Sequence, residues 1–256
     1  MLVFTILGLG TVVALSASIS IRILWLAARN RELPELLIGV FFAAITIELA
    51  DYGQRLLALS EFDARPVLFC ISVGSLLLFD WLVFRPASLW AAAITCITLA
   101  SVIAASSLHL ATGEASLGVR MVWGLGRSIS LGWAFGESFR YWRLMRKRLA
   151  IGTGDPVVAN RFGLWAIWTG AIAILPIAGL VTRLIAIVGG GVEPWETGTR
   201  IVLTPALSVF ALLMFVFVAV AGAALWLSFF PTRGHLARVR ARAEARANQG
   251  AGFAAA

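Results

Sequence analysis

The chain has 256 residues, of which 60% are hydrophobic and 13% are charged, and its mean hydropathy is +0.92. This composition excludes an ordinary soluble globular domain and is typical of a protein whose main solvent is lipid. The formal net charge of +8 does not indicate a nucleic-acid partner, because the basic residues cluster at the ends of apolar runs and not along one polar face. We therefore expect a chain embedded in a bilayer and no nucleic-acid binding.

Seven segments are long and apolar enough to cross a hydrocarbon core about 30 Å thick, which takes about 20 residues of helix. Charged and turn-forming residues separate them. The sequence predicts an all-α fold, a polytopic bundle of seven transmembrane helices in residues 1–231, with a basic, partly disordered tail over 232–256. The predicted spans are 3–27, 35–58, 67–84, 87–109, 118–140, 160–187 and 201–229.

The distribution of basic residues predicts the orientation of the bundle. No basic residue precedes the first span, whereas Arg29 and Arg31 follow it, which favours an N-out anchor over a cleaved signal peptide. Alternate threading places Arg127 inside the bilayer and 15 of the other 20 basic residues in the cytoplasm, a bias in the direction that the positive-inside rule requires. The basic residues left outside are Arg55, Arg65, Arg120, Arg183 and Arg200. We therefore predict an N-out/C-in orientation. Because Arg greatly outnumbers Lys, we also predict that the membrane is a bacterial cytoplasmic (inner) membrane.

Charged residues inside the second and fifth spans form the first candidate site. Arg127 lies near the middle of the fifth span, where insertion scales put the cost of an arginine at roughly 3 kcal/mol. Glu48, Asp51 and Arg55 are spaced i, i+3 and i+7 in the second span and share one helix face. Helical rise gives Glu48 and Arg127 similar depths, so we predict that Arg127 pairs with Glu48 or Asp51. Two interpretations stay open, a pair that fixes helix packing and a site for a ligand, ion or proton.

The fifth span also carries small residues at a stride of four: Gly124, Ser128, Gly132 and Gly136. Such a ridge lets a neighbouring backbone approach closely. We therefore expect this helix to be central in the bundle, with Arg127 turned away from lipid. In the third span, Asp80 is expected to pair with one of three arginines, Arg22, Arg85 or Arg140.

The residues that common membrane cofactors need do not occur at the required positions in the sequence. Covalent retinal binding needs a lysine in the last span, haem held by two histidines needs them at matched depth, and a zinc protease needs H-E-x-x-H. The string GTGD over 152–155 resembles the GxGD signature of intramembrane aspartyl proteases, but Asp155 precedes Pro156 in a predicted loop. We predict no cofactor, no metal site and no enzymatic activity.

Three strings resemble a group of uncharacterised seven-span bacterial membrane proteins, and the resemblance covers nearly the whole chain. The strings are RELPELLIG (31–39), VFRP (83–86) and RKRLAIGTGDPVVANRF (146–162), the last two containing the VFRP and DPVVANRF motifs. The resemblance implies a seven-span fold with these strings at its cytoplasmic ends. It implies no activity and therefore carries over no catalytic residue. The stretch from Glu48 to Gly53 differs from the group, in which a stretch rich in Gly, Tyr and Pro is usual at this place. The resemblance therefore implies no role for Glu48 and Asp51.

The three strings predict a polar cytoplasmic face with four charged residues available for ion pairs between loops: Arg85, Arg148, Asp155 and Arg161. Besides the lipid bilayer, such a face can dock a cytoplasmic or membrane protein partner, and the sequence does not fix an oligomeric state.

Three functions are open. The leading interpretation is a non-enzymatic seven-helix sensor or accessory module for signal relay or complex assembly. The alternative is a small transporter or channel using the intramembrane Glu/Asp–Arg cluster, which predicts a water-filled cavity at that depth. An enzyme acting on a lipid or peptide comes third, because no nucleophile–base or metal arrangement is apparent.

Overall fold

A computed structural model describes residues 2–56, 63–188 and 219–241, which are helical apart from short connections and contain no strand. The helices are α1 Leu2–Asn30, α2 Leu33–Leu56, α3 Arg65–Phe84, α4 Leu89–Thr112, α5 Leu117–Ala150, α6 Pro156–Val188, α7 Ala219–Phe229 and α8 over 233–241. The side chain of Arg55, the first part of the seventh predicted span and residues 242–256 of the predicted tail lie outside the described residues. The all-α prediction is confirmed.

Five of the described helices are long and apolar enough to cross a membrane: α1, α2, α3, α4 and α6. α5 is not among them, because arginines and glycines dilute its apolar residues. The described part of α7 is a shorter apolar helix. The count of seven spans therefore stays a prediction.

Short connections set the order of the bundle. Only a few residues connect the helices of four pairs: α1 and α2, α3 and α4, α4 and α5, and α5 and α6. The two helices of each of these pairs run antiparallel. The connections over 31–32, 85–88 and 151–155 lie at one end of the bundle, which we call the Arg85 end. Residues 63–64 and 113–116 lie at the other, the Gly113 end. α5 and α6 pack together most extensively, and α3, α4 and α5 pack against one another.

Local chemistry ends the helices where the sequence changes. Gly113 takes a left-handed φ of 71° after α4, and its N–H donates to the carbonyl of His109 at 2.9 Å. Ser116 begins α5, with its Oγ accepting from the N–H of Val119. Asp155 begins α6 in the same way, since its Oδ1 accepts from the N–H of Val157 at 2.7 Å.

α5 continues ten residues past the predicted end of the fifth span, to Ala150. The apolar part of the helix ends near Arg140, but Arg, Leu, Met and Lys all favour helix, so the backbone continues through the basic run. Apolarity therefore predicted the membrane-compatible part and missed the length of the helix.

The core lies between the helices while much of the outer surface is apolar. Phe41 is fully buried in one cluster that joins α1, α2, α3, α5, α6 and α7. Val73 is fully buried in a second cluster between α3 and α4. On the opposite face of α4, Ile97 is 67% exposed and Leu108 is 53% exposed. An apolar exterior of this kind suits contact with lipid and not with water.

Candidate functional site

Arg127 of α5 and Glu48 of α2 form an ion pair between helices. Nη2 of Arg127 lies 2.7 Å from Oε2 and 3.0 Å from Oε1 of Glu48. The Arg127 side chain is 13% exposed. Phe69 of α3 covers one face of the guanidinium, whose Cζ lies 4.5 Å from the ring centroid. The pair thus links three helices, and Arg127 is turned into the bundle.

A cavity of about 500 Å³ opens beside this ion pair towards the Gly113 end, between α2, α3, α5 and α6. Glu48 lines it, together with Phe69 and Trp123. Four arginines also line it: Arg65, Arg120, Arg127 and Arg183. We call it the arginine cavity. Its walls are rich in guanidinium groups, the side chains that bind anionic oxygens through N–H donors.

A second cavity of about 390 Å³ adjoins the first and is lined by α1, α2, α5, α6 and α7. We call it the apolar cavity, because most of its lining is aliphatic or aromatic, including Leu15, Phe42, Ile172 and Leu225. Five residues line both cavities: Glu48, Leu49, Arg127, Leu175 and Pro176. The ion pair therefore lies at the boundary between a cationic cavity and an apolar one.

Pro176 helps to explain why space remains at this boundary. Proline has no N–H, so the carbonyl of Ile172 loses its usual partner within α6. Gly179 lies less than one turn further along the helix and also lines the arginine cavity, where it adds no side chain. A long apolar helix thus presents a backbone irregularity at the boundary of the two cavities, with Ile172 on the apolar side.

The predicted ridge of small residues on α5 packs only in part. A Cβ added at Gly124 would lie 2.8 Å from Cδ2 of Leu180, so α5 and α6 approach closely there. At Gly132 and Gly136 an added Cβ would meet nothing within 4 Å among the residues that the structure describes. Ser128 donates back to the carbonyl of Gly124 at 2.8 Å. Among the described residues, the close approach expected along this ridge is therefore present at Gly124 and not at Gly132 or Gly136.

Sequence reasoning missed Gly126, which makes the tighter approach. A Cβ at Gly126 would lie 2.6 Å from Cγ2 of Val102 on α4, a residue that is fully buried. A stride of four selects one face of a helix but does not tell which face a neighbour covers. The contact of Gly126 with α4 could be found only once the rotation of α5 was known.

A second polar cluster, also missed from the sequence, lies beside the arginine cavity at the Gly113 end. Nε and Nη2 of Arg65 each donate to Asp63 at 2.8 Å, and Nε2 of His109 lies 3.1 Å from Oδ2 of Asp63. The hydrogen bonds from Arg65 hold the pKa of Asp63 well below its ordinary value of 3.8. Asp63 thus ties the start of α3 to the end of α4.

At the Arg85 end, Glu137 of α5 binds two arginines. Nε of Arg85 lies 2.5 Å from its Oε1, and Nη1 of Arg140 lies 3.3 Å from its Oε2. Glu137 is 5% exposed, so these contacts compensate a buried carboxylate. The connection between α3 and α4 is thereby fixed to α5.

Asp80 does not form the expected pair with Arg22, Arg85 or Arg140. The residue is fully buried, and neither carboxyl oxygen has a hydrogen-bond partner among the described residues. Arg85 and Arg140 bind Glu137 instead, while Cζ of Arg22 lies 4.6 Å from the Phe230 ring centroid. The prediction was wrong because the acid of α5 lies closer to both arginines than the acid of α3.

The ion pairs predicted between cytoplasmic loops do not form among the described residues. Arg85 binds Glu137, and Asp155 accepts from the backbone at the start of α6. Arg148 and Arg161 are exposed. The free N–H groups at a helix start attract a nearby aspartate, and this local interaction prevailed over pairing between loops. The role of this face in partner binding stays a prediction.

The sequence matches no family model, and no curated protein and no solved structure gives a significant match. The fold and composition alone therefore define the class. It is an all-α protein whose five long apolar helices are compatible with a multi-pass integral membrane protein.

Proposed function

We propose that this chain is a non-enzymatic sensor or accessory module that crosses a bacterial cytoplasmic membrane seven times, with its N-terminus outside. One observation carries the proposal: the Glu48–Arg127 ion pair lies at the boundary of two cavities. In the proposed orientation the arginine cavity faces the outside and the Arg85 end faces the cytoplasm.

The ion pair suits a switch because a ligand can compete for one of its members. An anion that binds Arg127 weakens its attraction to Glu48, so α2 and α5 lose a mutual contact. A ligand shifts a conformational equilibrium only through different affinities for the two states, and competition for Arg127 supplies that difference. No chemical step is needed.

Aromatic packing favours a sensor over a continuous path through the bundle. Phe42 and Trp168 line the apolar cavity, with ring centroids 5.5 Å apart. Nearer the Arg85 end, the ring centroids of Trp165 and Phe229 lie 5.8 Å apart, and Phe229 also lies 6.0 Å from Phe42. These rings fill the space beneath the apolar cavity, which suits a site entered from one side.

The second candidate is a small transporter or channel, and the arginine cavity favours it specifically. An open cavity that reaches Glu48 and Arg127 is what that alternative predicts. Under it, the aromatic packing is one state of a gate and opens during a transport cycle.

Cysteine labelling tests the sensor without knowledge of its ligand. In a background with Cys70 and Cys96 replaced by alanine, a cysteine at Arg148 reports on the Arg85 end. We expect it to react with a membrane-impermeant maleimide only after permeabilisation, whereas a cysteine at Glu114 reacts in intact cells. We further expect Glu48→Gln to change the labelling rate at position 148, while the control Glu114→Gln does not.

Flux measurement separates the two candidates. Proteoliposomes holding the chain are loaded with radiolabelled acetate or phosphate. Two results together would reject the sensor in favour of the transporter. The first is a maleimide labelling rate at position 148 that Glu48→Gln leaves unchanged, and the second is an anion flux that Arg127→Gln abolishes.

A further inference from the structure

We infer that the two cavities form a single binding site for an anionic amphiphile, with a carboxylate or phosphate headgroup in the arginine cavity and one apolar chain in the apolar cavity. This inference rests on the proposed function and names the class of ligand that the sensor binds. It follows from the charge of one cavity, the apolarity of the other and their common boundary.

The arginine cavity suits the headgroup because its described walls carry four guanidinium groups and one carboxylate, that of Glu48. Both hydrogen bonds from Arg127 to Glu48 leave from Nη2, so Glu48 does not engage Nε or Nη1. Arg120 and Arg183 line the same cavity from α5 and α6. Guanidinium groups bind carboxylate and phosphate in a bidentate manner, which favours an oxyanion over a halide.

The apolar cavity suits the chain because most of the side chains that line it are aliphatic or aromatic. Its one hydroxyl among the described residues belongs to Ser16, whose Oγ donates to the carbonyl of Val12 at 2.8 Å and accepts from Thr46 at 2.9 Å. A hydrocarbon chain therefore leaves this hydroxyl paired. Both cavities, about 500 and 390 Å³, lie within the usual range for small-molecule sites.

The shared boundary selects a linear ligand. Leu49, Leu175 and Pro176 line both cavities beside the ion pair, so the two cavities adjoin at this point and a ligand that spans it contacts both. A small anion fills only the arginine cavity, and an uncharged hydrocarbon fills only the apolar one. A ligand with both parts gains from both.

Photolabelling of the full chain in phosphatidylcholine nanodiscs tests this inference. The probe is a dodecanoate analogue with a diazirine at the end of its chain, and labelled residues are mapped by mass spectrometry. We expect labels on the lining of the apolar cavity, such as Leu15, Ile172 or Leu225. Unlabelled dodecanoate should compete roughly tenfold better than dodecanol or acetate, each of which has only one of the two parts.

A second arm identifies the source of the ligand. Nanodiscs that contain phosphatidylglycerol suppress the labelling if a membrane lipid occupies the site, and leave it unchanged if a free amphiphile does. The inference holds in either case, provided that the label maps to the apolar cavity in the nanodiscs of phosphatidylcholine alone.

Matched variants strengthen the test. Arg127→Gln should weaken labelling by removing a headgroup donor, and Ile172→Trp should weaken it by filling the apolar cavity. Arg161→Gln, an exposed site at the Arg85 end, should have no effect. The competition experiment needs no variant, so it decides even if these proteins fail to fold.

The inference is overturned if labels fall only on lipid-facing residues such as Ile97, or if dodecanol or acetate competes as well as dodecanoate. Such a result leaves the proposed function standing, because that function is tested by labelling at position 148. If Glu48→Gln leaves the maleimide labelling rate at position 148 unchanged while photolabelling is intact, the proposed function fails and the inference stands: the site binds the amphiphile but does not signal.

Discussion

Arg127 donates two hydrogen bonds from a single nitrogen to Glu48, a residue 79 positions earlier in the chain. This contact lets one guanidinium hold α2 to α5 through a single nitrogen. The proposed headgroup contacts of Arg127 would therefore use other atoms of the same side chain.

The first prediction concerns the strength of this pair. Arg127→Ala should lower stability by about 3 kcal/mol, because it leaves the largely buried Glu48 carboxylate without its partner. Glu48→Gln should cost less, since the amide can still accept a hydrogen bond. Thermal unfolding in detergent, with Arg161→Ala as the control, measures both. If both proteins fold as well as the control and lose only ligand response, a purely structural role for the pair is excluded.

The second prediction is a pH dependence at Asp63. Its pKa is lower in the folded protein than in the unfolded chain, where it is near 3.8, so the ionised form stabilises the fold. That stabilisation is complete well above pH 3.8 and decreases as the pH falls below it. Melting temperatures recorded from about pH 6 to pH 3 should decline less for Asp63→Asn than for the wild type. Parallel curves would contradict the role of this carboxylate.

The third prediction compares two glycines on α5. Gly126→Ala should destabilise the fold by about 1–3 kcal/mol, because the new Cβ presses on the buried Val102 of α4. Gly132→Ala meets nothing within 4 Å in the described part of the chain, so it should be neutral or stabilise the helix by up to about 1 kcal/mol. Equal effects in a thermal unfolding assay would show that the packing of α5 differs from that described.

The fourth prediction contrasts two buried acids. Asp80→Asn should leave the melting temperature unchanged or raise it, because the carboxyl has no hydrogen-bond partner to lose among the described residues. Glu137→Gln should lower stability by about 1–3 kcal/mol, since Arg85 and Arg140 lose a charged acceptor. A large loss of stability in Asp80→Asn would indicate a partner that this arrangement does not contain.

Features that depend on depth along a helix could be predicted from the sequence. Apolar length located the helices, and helical rise gave Glu48 and Arg127 similar depths, which is why their pairing could be predicted. The structure places these two residues in contact.

Features that depend on the rotation of a helix or on competing partners could not be predicted. Asp63 and His109 lie 46 residues apart, and nothing in the spacing indicates that they meet. Three arginines lie at depths suitable for pairing with Asp80. Two of them, Arg85 and Arg140, bind Glu137 instead, because the rotation of α5 brings the Glu137 side chain to Arg85. The close contact of Gly126 was also missed, because the stride of four from Gly124 to Gly136 does not tell which face of α5 lies against α4.

The length of α5 has a mechanical consequence. Its 34 residues extend about 51 Å at 1.5 Å per residue, well beyond the roughly 30 Å of a hydrocarbon core. In the proposed seven-span topology the helix projects into the water at the Arg85 end, carrying Arg143, Arg146 and Lys147 with it. A continuous helix transmits rotation about its axis, so a small rotation of α5 at Arg127 would turn this charged extension by the same angle.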